Sequence, residues 1–416
     1  MTFSPLYVQR HFAECIDLGC LETIGFTQGR RAHGVASLRT PRLCVKYFTA
    51  KELISVHSKN NNMEALMTIP VEKTKTSNLS KVDWSTLQFG KYVSDHMFRC
   101  TYKNGEWQEE CILPFEDISL SPTALVLHYG QSVFEGMKAF RMQDGNINIF
   151  RLDKHFERIN ASLDRMCMPP LPFELFTAAI RQLVQVDAAW IPQGEDVALY
   201  IRPLVFASEA RFGVKVSDEY TFLVITGPVP TLYPDSLKVK VERTYIRAAK
   251  GGVGFAKCAG NYGGAFYPTQ KAKAEGFDQV LWTDAFEHEY FEESGTMNLF
   301  FVIDEMVITP PLSDSILDGV TRDSLLTIAK DLGYAVEERK ISVTEVLKAL
   351  ADGRSVEAFG AGTAAVVAPI SVMGVDGELY QLPTYSGGSV MFRLKKALDA
   401  IRTGREEDRW GWNFLV

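Results

Sequence analysis

Residues 251–264 read GGVGFAKCAGNYGG, a single lysine at 257 among six glycines. Glycines beside a lysine first suggest a nucleotide phosphate loop. The spacing excludes that reading: a G-x-x-x-x-G-K-[ST] loop begun at Gly251 requires glycine at 256 and serine or threonine at 258, where Ala256 and Cys258 stand. What the small neighbours do offer Lys257 is backbone room for a flat ring. They also allow the partial desolvation that keeps an amine neutral enough to condense with an aldehyde cofactor. Most lysines are solvated surface charges, so Lys257 takes its meaning from its company. Tyr262, five residues on, is placed to hydrogen-bond a phenolic oxygen of such a cofactor, or to pack as an ordinary tyrosine.

Working outward, FEESGTMNLFF (291–301) puts Glu293 just before Gly295 and an apolar run. A pyridine ring serves as an electron sink only while its nitrogen stays protonated, which calls for a carboxylate. Glu293 is the candidate, and an exposed acid within the cluster Glu287, Glu289, Glu292 is the alternative. ILDGVTRDSLLTIAK (316–330) resembles a helix entry, with Gly319, Val320 and Thr321 where free amides and the helix dipole bind anions. FGAGTAA (359–365) offers a second donor set in Gly362, Thr363 and Ala364, and Arg158 a guanidinium fork suited to phosphate. Taken singly, these are a helix start, a glycine turn and a surface arginine.

The surrounding chain reads as α/β or α+β. ALYIRPLVFA (198–207), YTFLVITGPV (220–229) and LKVKVERTYI (237–246) are rich in β-branched and aromatic residues and predict strands. Phe156, Ile159, Leu163 and Met166 recur at steps of three and four and predict a helix, as does FELFTAAIRQLVQVDAAW (173–190). Further strands are expected at 278–283 and 298–309, and helices at 264–274, from Thr321 and at 389–402. The segment GPVPTLYPDS (227–236), with three prolines, predicts a connection between two domains. Residues 67–227 then form a small α/β domain, 228–236 the interdomain loop, and 237–416 a large cofactor-binding domain.

The 416 residues are 46% hydrophobic and 23% charged with net charge −7, and no basic block favours nucleic acid. No apolar run approaches the roughly 20 residues that span a bilayer. The seven cysteines, at 15, 20, 44, 100, 111, 167 and 258, form no C-x-x-C pair, which suits a reducing compartment. Residues 1–62 differ, with eight basic residues against four acidic. This head predicts a dispensable extension (1–66) on a cytoplasmic protein; a mitochondrial presequence is the alternative, disfavoured by Glu14, Asp17, Glu22 and Glu52.

In order, LHYGQSVFEGMKAFR (127–141), ALYIRP (198–203), AKCAGNYGG (256–264), ESGTMNLFF (293–301), ILDGVTRDS (316–324) and FGAGTAA (359–365) resemble the branched-chain aminotransferases of pyridoxal-phosphate (PLP) fold type IV. The resemblance covers residues 82–416 and implies two domains with the cofactor between them. It implies Lys257 as the Schiff-base lysine, Glu293 at the pyridine nitrogen and Tyr262 at the phenolic oxygen. Arg158, Val320, Thr321 and Thr363 would hold the phosphate, with Thr296 also in contact with the cofactor. For the substrate it implies Phe89, Tyr129 and Phe134 as apolar walls, Tyr200 and Arg202 at the polar end, and Gly362, Thr363 and Ala364 beside them. Val214 would enter from a partner subunit, implying a homodimer. The implied reaction moves an amino group between leucine, isoleucine or valine and 2-oxoglutarate, by a ping-pong course. Mammalian relatives carry a redox-active C-x-x-C where this chain has Ala365 and Ala368, so thiol gating is not expected. A D-amino-acid aminotransferase or an aminodeoxychorismate lyase would share the cofactor apparatus, but FEGMKAF and YIRP argue against both. A non-catalytic metabolite-binding relative is the remaining alternative.

Overall fold

The first sheet is built from hairpins. Strand β1 (His96–Lys103) turns into β2 (Glu106–Pro114) through Asn104 and Gly105, both at positive φ, as a tight turn between right-twisted strands requires. A short helix α1 (Leu125–Tyr129) leads into β3 (Ser132–Phe134), β4 (Met137–Arg141) and β5 (Ile147–Phe150). Helices α2 (Leu152–Arg165) and α3 (Phe173–Val186) follow, and β6 (Ala198–Ala207) and β7 (Tyr220–Val229) complete this half. The computed structural model describes residues 67–194, 197–230, 236–383 and 385–416. The extension expected at 1–66 lies outside the described residues.

The second half contains β8 (Leu237–Glu242), α4 (Gly260–Ala274), β9 (Gln279–Thr283), β10 (Phe291–Ser294), β11 (Met297–Ile303) and β12 (Met306–Thr309). It continues through α5 (Val320–Asp331), β13 (Val336–Glu338), α6 (Val343–Ala351), β14 (Val356–Gly362), β15 (Val366–Val375), β16 (Glu378–Gln381), α7 (Val390–Arg402) and β17 (Asn413–Leu415). Among the described residues the first sheet runs β17-β5-β4-β6-β7-β1-β2, with β3 beside β6, and is antiparallel throughout. In the second sheet β10-β9-β8-β15-β14-β11 closes on itself, because β10 also pairs with β11. Closure leaves these six strands without a free edge, while β12 and β13 extend the sheet from β11 and β16 from β15. β8 runs parallel to both β9 and β15.

Apolar alternation decides what each layer buries. Ile159 and Leu163 of α2 and Phe176, Ile180 and Leu183 of α3 pack on the first sheet against Phe98, Phe222 and Val224. Inside the closed sheet lie Val239, Leu281, Leu299, Phe301, Ala358 and Ile370. On its outer face Leu325 and Ile328 of α5 and Met391 and Leu394 of α7 cover the stacked rings of Phe300 and Phe359.

Several boundaries move from their expected places for local reasons. β7 keeps its expected end at Val229, with Pro228 and Val229 paired to Leu199 and Ala198, so the first residues of GPVPTLYPDS belong to the strand. Pro228 lies beyond Ile225, the last residue of β7 in register with β1, at an edge where proline is tolerated. β8 stops at Glu242, whose carboxylate accepts the amides of Thr244 and Tyr245 and turns the chain. The run 298–309 is a hairpin, turning at Asp304 and Glu305, both at positive φ. The last strand, β17, leaves the second half and pairs with β5 in the first sheet.

Candidate active site

Lys257 is held by its own backbone. Its N–H donates to Ser162 Oγ of α2 at 2.9 Å and its carbonyl accepts Phe134 N of β3 at 3.0 Å. The side chain therefore leaves from a clamped point. Its Nζ lies 3.1 Å from Tyr262 Oη and 5.1 Å from the centroid of the Phe134 ring. Tyr262, in the first turn of α4, packs on Phe134 at 5.0 Å.

Glu293 is buried at the end of β10. Its Oε2 pairs with Arg247 Nε at 2.9 Å, and its Oε1 accepts Leu317 N at 2.9 Å and Asn298 Nδ2 at 3.2 Å. Burial pushes this carboxyl above its usual range, against the opposing pull of Arg247, the Leu317 amide and Lys257. Gly295 follows at φ 57°, and a Cβ there would lie 2.2 Å from Gln279 Oε1. Glycine takes this left-handed conformation without strain, and the chain reverses here and returns as β11.

Arg158, on the buried face of α2, donates Nε and Nη2 to the two carboxylate oxygens of Glu135, at 2.6 and 2.8 Å, and Nη1 to the Asp318 carbonyl at 2.9 Å. Burial favours the neutral form of Glu135, but Arg158 and His155 outweigh it and hold the carboxyl well below the usual carboxylate range. Asp318 leads into Gly319, the cap of α5, whose first-turn amides at Val320 and Thr321 have no acceptor within the helix. A Cβ on Gly319 would stand 1.8 Å from Asn298 Oδ1, so the helix entry approaches β11 as closely as a glycine permits. Thr363 lies in the turn joining β14 to β15, where Lys138 Nζ donates to the Ala364 carbonyl at 2.8 Å.

These groups surround one cavity of about 440 Å³. Lys257, Arg158, Tyr262, Glu293, Thr296, Val320, Thr321, Gly362, Thr363 and Ala364 all line it, as do Phe89, Phe134, Tyr200 and Arg202. Phe89 meets Tyr200 edge-on at 4.9 Å, while Arg202 lies 4.8 Å from the Phe134 ring and donates to Tyr200 Oη at 3.1 Å. Tyr129 and Val214 do not join them: Tyr129 is 45% and Val214 79% exposed, on surface outside this cavity.

The residues fit PLP. Its aldehyde needs an amine beside space for a ring, which Lys257 has. Its nitrogen needs a fixed carboxylate, and its phosphate needs a helix N-terminus with a fork donor. Sequence reasoning missed the partners that hold these groups: Glu135, His155, Arg247, Asn298 and Ser162. One signal was available, since His155, Arg158 and Ser162 share a helix face with Ile159, and polar groups at helical spacing within an apolar stripe are costly unless paired. Nothing local marks Arg247, which meets Glu293 only through the folding of the chain.

The amino-transferase class IV family matches residues 132–373. The chain belongs to the class IV aminotransferases. This aminotransferase is 42% identical over 352 residues to branched-chain-amino-acid transaminase 1 of Bacillus subtilis, covering 83% of the chain and 99% of that relative. The crystal structure of the Escherichia coli branched-chain amino acid aminotransferase matches with a TM-score of 0.63 at 30% identity, over 77% of this chain and 98% of that one. The branched-chain amino acid aminotransferase of T.th. complexed with N-(5'-phosphopyridoxyl)-L-glutamate matches with a TM-score of 0.60 at 29% identity, over 76% and 97%. The expected mixed α/β fold and family are borne out. Among the described residues no helix is long and apolar enough to cross a membrane.

Proposed function

We propose that this aminotransferase moves the amino group of L-leucine, L-isoleucine or L-valine to 2-oxoglutarate, with PLP bound at Lys257. The observation that carries the reading is Arg202 set between the rings of Phe134 and Tyr200, within a cavity whose wall also includes Phe89. An aliphatic side chain needs the aromatic wall, and the second carboxylate of 2-oxoglutarate needs the guanidinium. One pocket serves both substrates in turn, which gives ping-pong kinetics. The names of the relatives point the same way.

When bound, the cofactor supplies an electron sink that spreads the charge left on the substrate's Cα. The chain supplies the rest. Arg247 and the Leu317 amide keep Glu293 aimed at the ring nitrogen. Arg158, Val320, Thr321 and Thr363 grip the phosphate. Lys257 Nζ, poised by Tyr262, would take the proton from Cα of the amino-acid substrate and, in the return half-reaction, give one to Cα of the L-glutamate that forms.

The same reading makes the enzyme a cytoplasmic homodimer, with the partner subunit's Val214 closing the pocket. Leu127, Phe212 and Val214 are 60%, 86% and 79% exposed, and Phe212 packs on His128 next to Leu127, a region of apolar surface that suits a subunit contact. Sedimentation of the full chain gives twice the monomer mass in this reading. A chain begun at Met67 retains turnover if residues 1–66 are dispensable.

The deciding assay offers L-leucine, L-isoleucine, L-valine and D-alanine with 2-oxoglutarate to the purified protein. Turnover of the three L-amino acids is expected, together with a protein-bound visible absorbance that borohydride or Lys257→Ala abolishes. Turnover of D-alanine alone, or an unchanged band in Lys257→Ala, overturns the proposal.

A further inference from the structure

Glu135 is fully buried within FEGMKAF, and both of its carboxylate oxygens are engaged. Oε1 accepts Arg158 Nε; Oε2 accepts Arg158 Nη2, lies 2.8 Å from His155 Nδ1 and accepts the Gly136 amide at 3.0 Å. Arg158 is thus gripped side-on by Glu135 and end-on by the Asp318 carbonyl. Of its five N–H groups three are committed. One remains on each terminal nitrogen, beside the entry of α5. Nη2 also stands 3.5 Å from His155 Nδ1, but that nitrogen faces the Glu135 carboxylate, carries its own hydrogen and cannot accept a second.

A guanidinium neutralised by its own buried carboxylate brings little net charge to a phosphate. Its value lies in direction. Arginine's long side chain loses considerable rotamer freedom when it binds an anion, unless its geometry is set beforehand. Here the setting is done from strand β4's leading turn, through Glu135, before any ligand arrives. His155, one helical turn ahead of Arg158 on α2, shares the same oxygen and keeps the carboxylate from turning toward the cavity.

We propose that Glu135 is the positioning residue for the phosphate grip, holding Arg158 so that its two remaining N–H groups face the cofactor's phosphate. This rests on the reading that Arg158 binds the phosphate at all. The inference concerns phosphate alone, so it separates PLP from pyridoxal, which lacks the phosphate but still condenses with Lys257.

The test loads the full-length protein with each ligand and follows retention of the visible absorbance through a dilution series. In Glu135→Gln, retention of PLP weakens roughly ten- to a hundredfold, the range typical when an outer partner that orients a ligand is lost. Pyridoxal retention stays as in the wild type. Arg158→Gln shows the same selectivity, and the double variant is no weaker for PLP than Arg158→Gln alone. If Arg158→Gln weakens PLP and pyridoxal equally, the phosphate role of Arg158 is wrong. If Arg158→Gln is selective and Glu135→Gln leaves both ligands alone, or weakens both equally, Arg158 keeps its role and the positioning inference is overturned. Should Glu135→Gln fail to fold, Glu135→Asp, which keeps the charge but shortens the reach, reads the same comparison.

Discussion

Arg247 Nε stands 2.9 Å from Glu293 Oε2, so the carboxylate that lines the cavity with Lys257 already carries a buried counter-ion. Arg247 also donates to the Ser315 carbonyl at 2.8 Å, tying the pair to the loop before α5. Removing the cation leaves a buried carboxylate that must stay unpaired or take up a proton. Arg247→Met should lose on the order of 3–5 kcal/mol, the usual cost of breaking a buried ion pair from one side. Urea unfolding checks it; a loss below about 1 kcal/mol, the level of an exposed pair, would show that the pair is not what stabilises Glu293.

Arg202 should matter for one half of the reaction more than the other. Its guanidinium offers a charge-assisted hydrogen bond, worth about 1.5–3 kcal/mol, to a substrate with a second carboxylate. Arg202→Gln should therefore raise KM for 2-oxoglutarate roughly tenfold or more while changing kcat/KM for leucine far less. Steady-state kinetics with each substrate varied in turn decides the matter. Equal losses would place Arg202 elsewhere in the mechanism.

Gly136 and Tyr200 are in contact so close that any side chain at 136 must displace the tyrosine ring. A Cβ at 136 would lie 1.9 Å from Tyr200 Oη and 2.7 Å from its Cζ. Gly136→Ala is expected to displace the ring and lower stability by about 1–3 kcal/mol, as overpacking does. In a Tyr200→Ala background the same substitution should cost much less. Thermal unfolding of the four proteins of this cycle measures the coupling.

Glu292 introduces a pH dependence. Burial pushes its carboxyl up to about 7, with Glu293 adding to the rise and Ser315 opposing it. A carboxyl whose folded pKa is raised contributes stability that is complete below its unfolded value and is lost as pH rises through the folded one. Stability should thus decline between about pH 4.5 and 7 on account of this group. Glu292→Gln removes that decline, and unfolding midpoints from pH 4 to 8 should fall less steeply in the variant than in the wild type. Identical slopes would mean that folding does not shift the Glu292 carboxyl.

Much of the fold was readable because local signals and tertiary context agree. The strands 198–207 and 220–229 lie within the same limits in the folded chain, since their apolar and β-branched residues face a helix layer that wants them. The helix from Thr321 and that at 389–402 begin within a residue of expectation. Where reading failed, short-range chemistry overrode propensity: the Asp304–Glu305 turn split one apolar run in two, and the Glu242 carboxylate ended β8 early.

By itself the sequence determined the chemical types at the site and their order: the lysine among small residues, the acid before a glycine, the helix entry, and the aromatic residues of the first half. These are properties of residue type and near spacing, which a linear chain displays. Only the tertiary structure decided which buried charges neutralise one another. Glu135 reaches Arg158 across 23 residues and Arg247 reaches Glu293 across 46. Such pairs form because folding removes water from both partners at once, and an ion stripped of water needs a counter-charge wherever in the chain it comes from. Lys257 stands out by its small sequence neighbours, and only the fold pairs the buried charges that surround it.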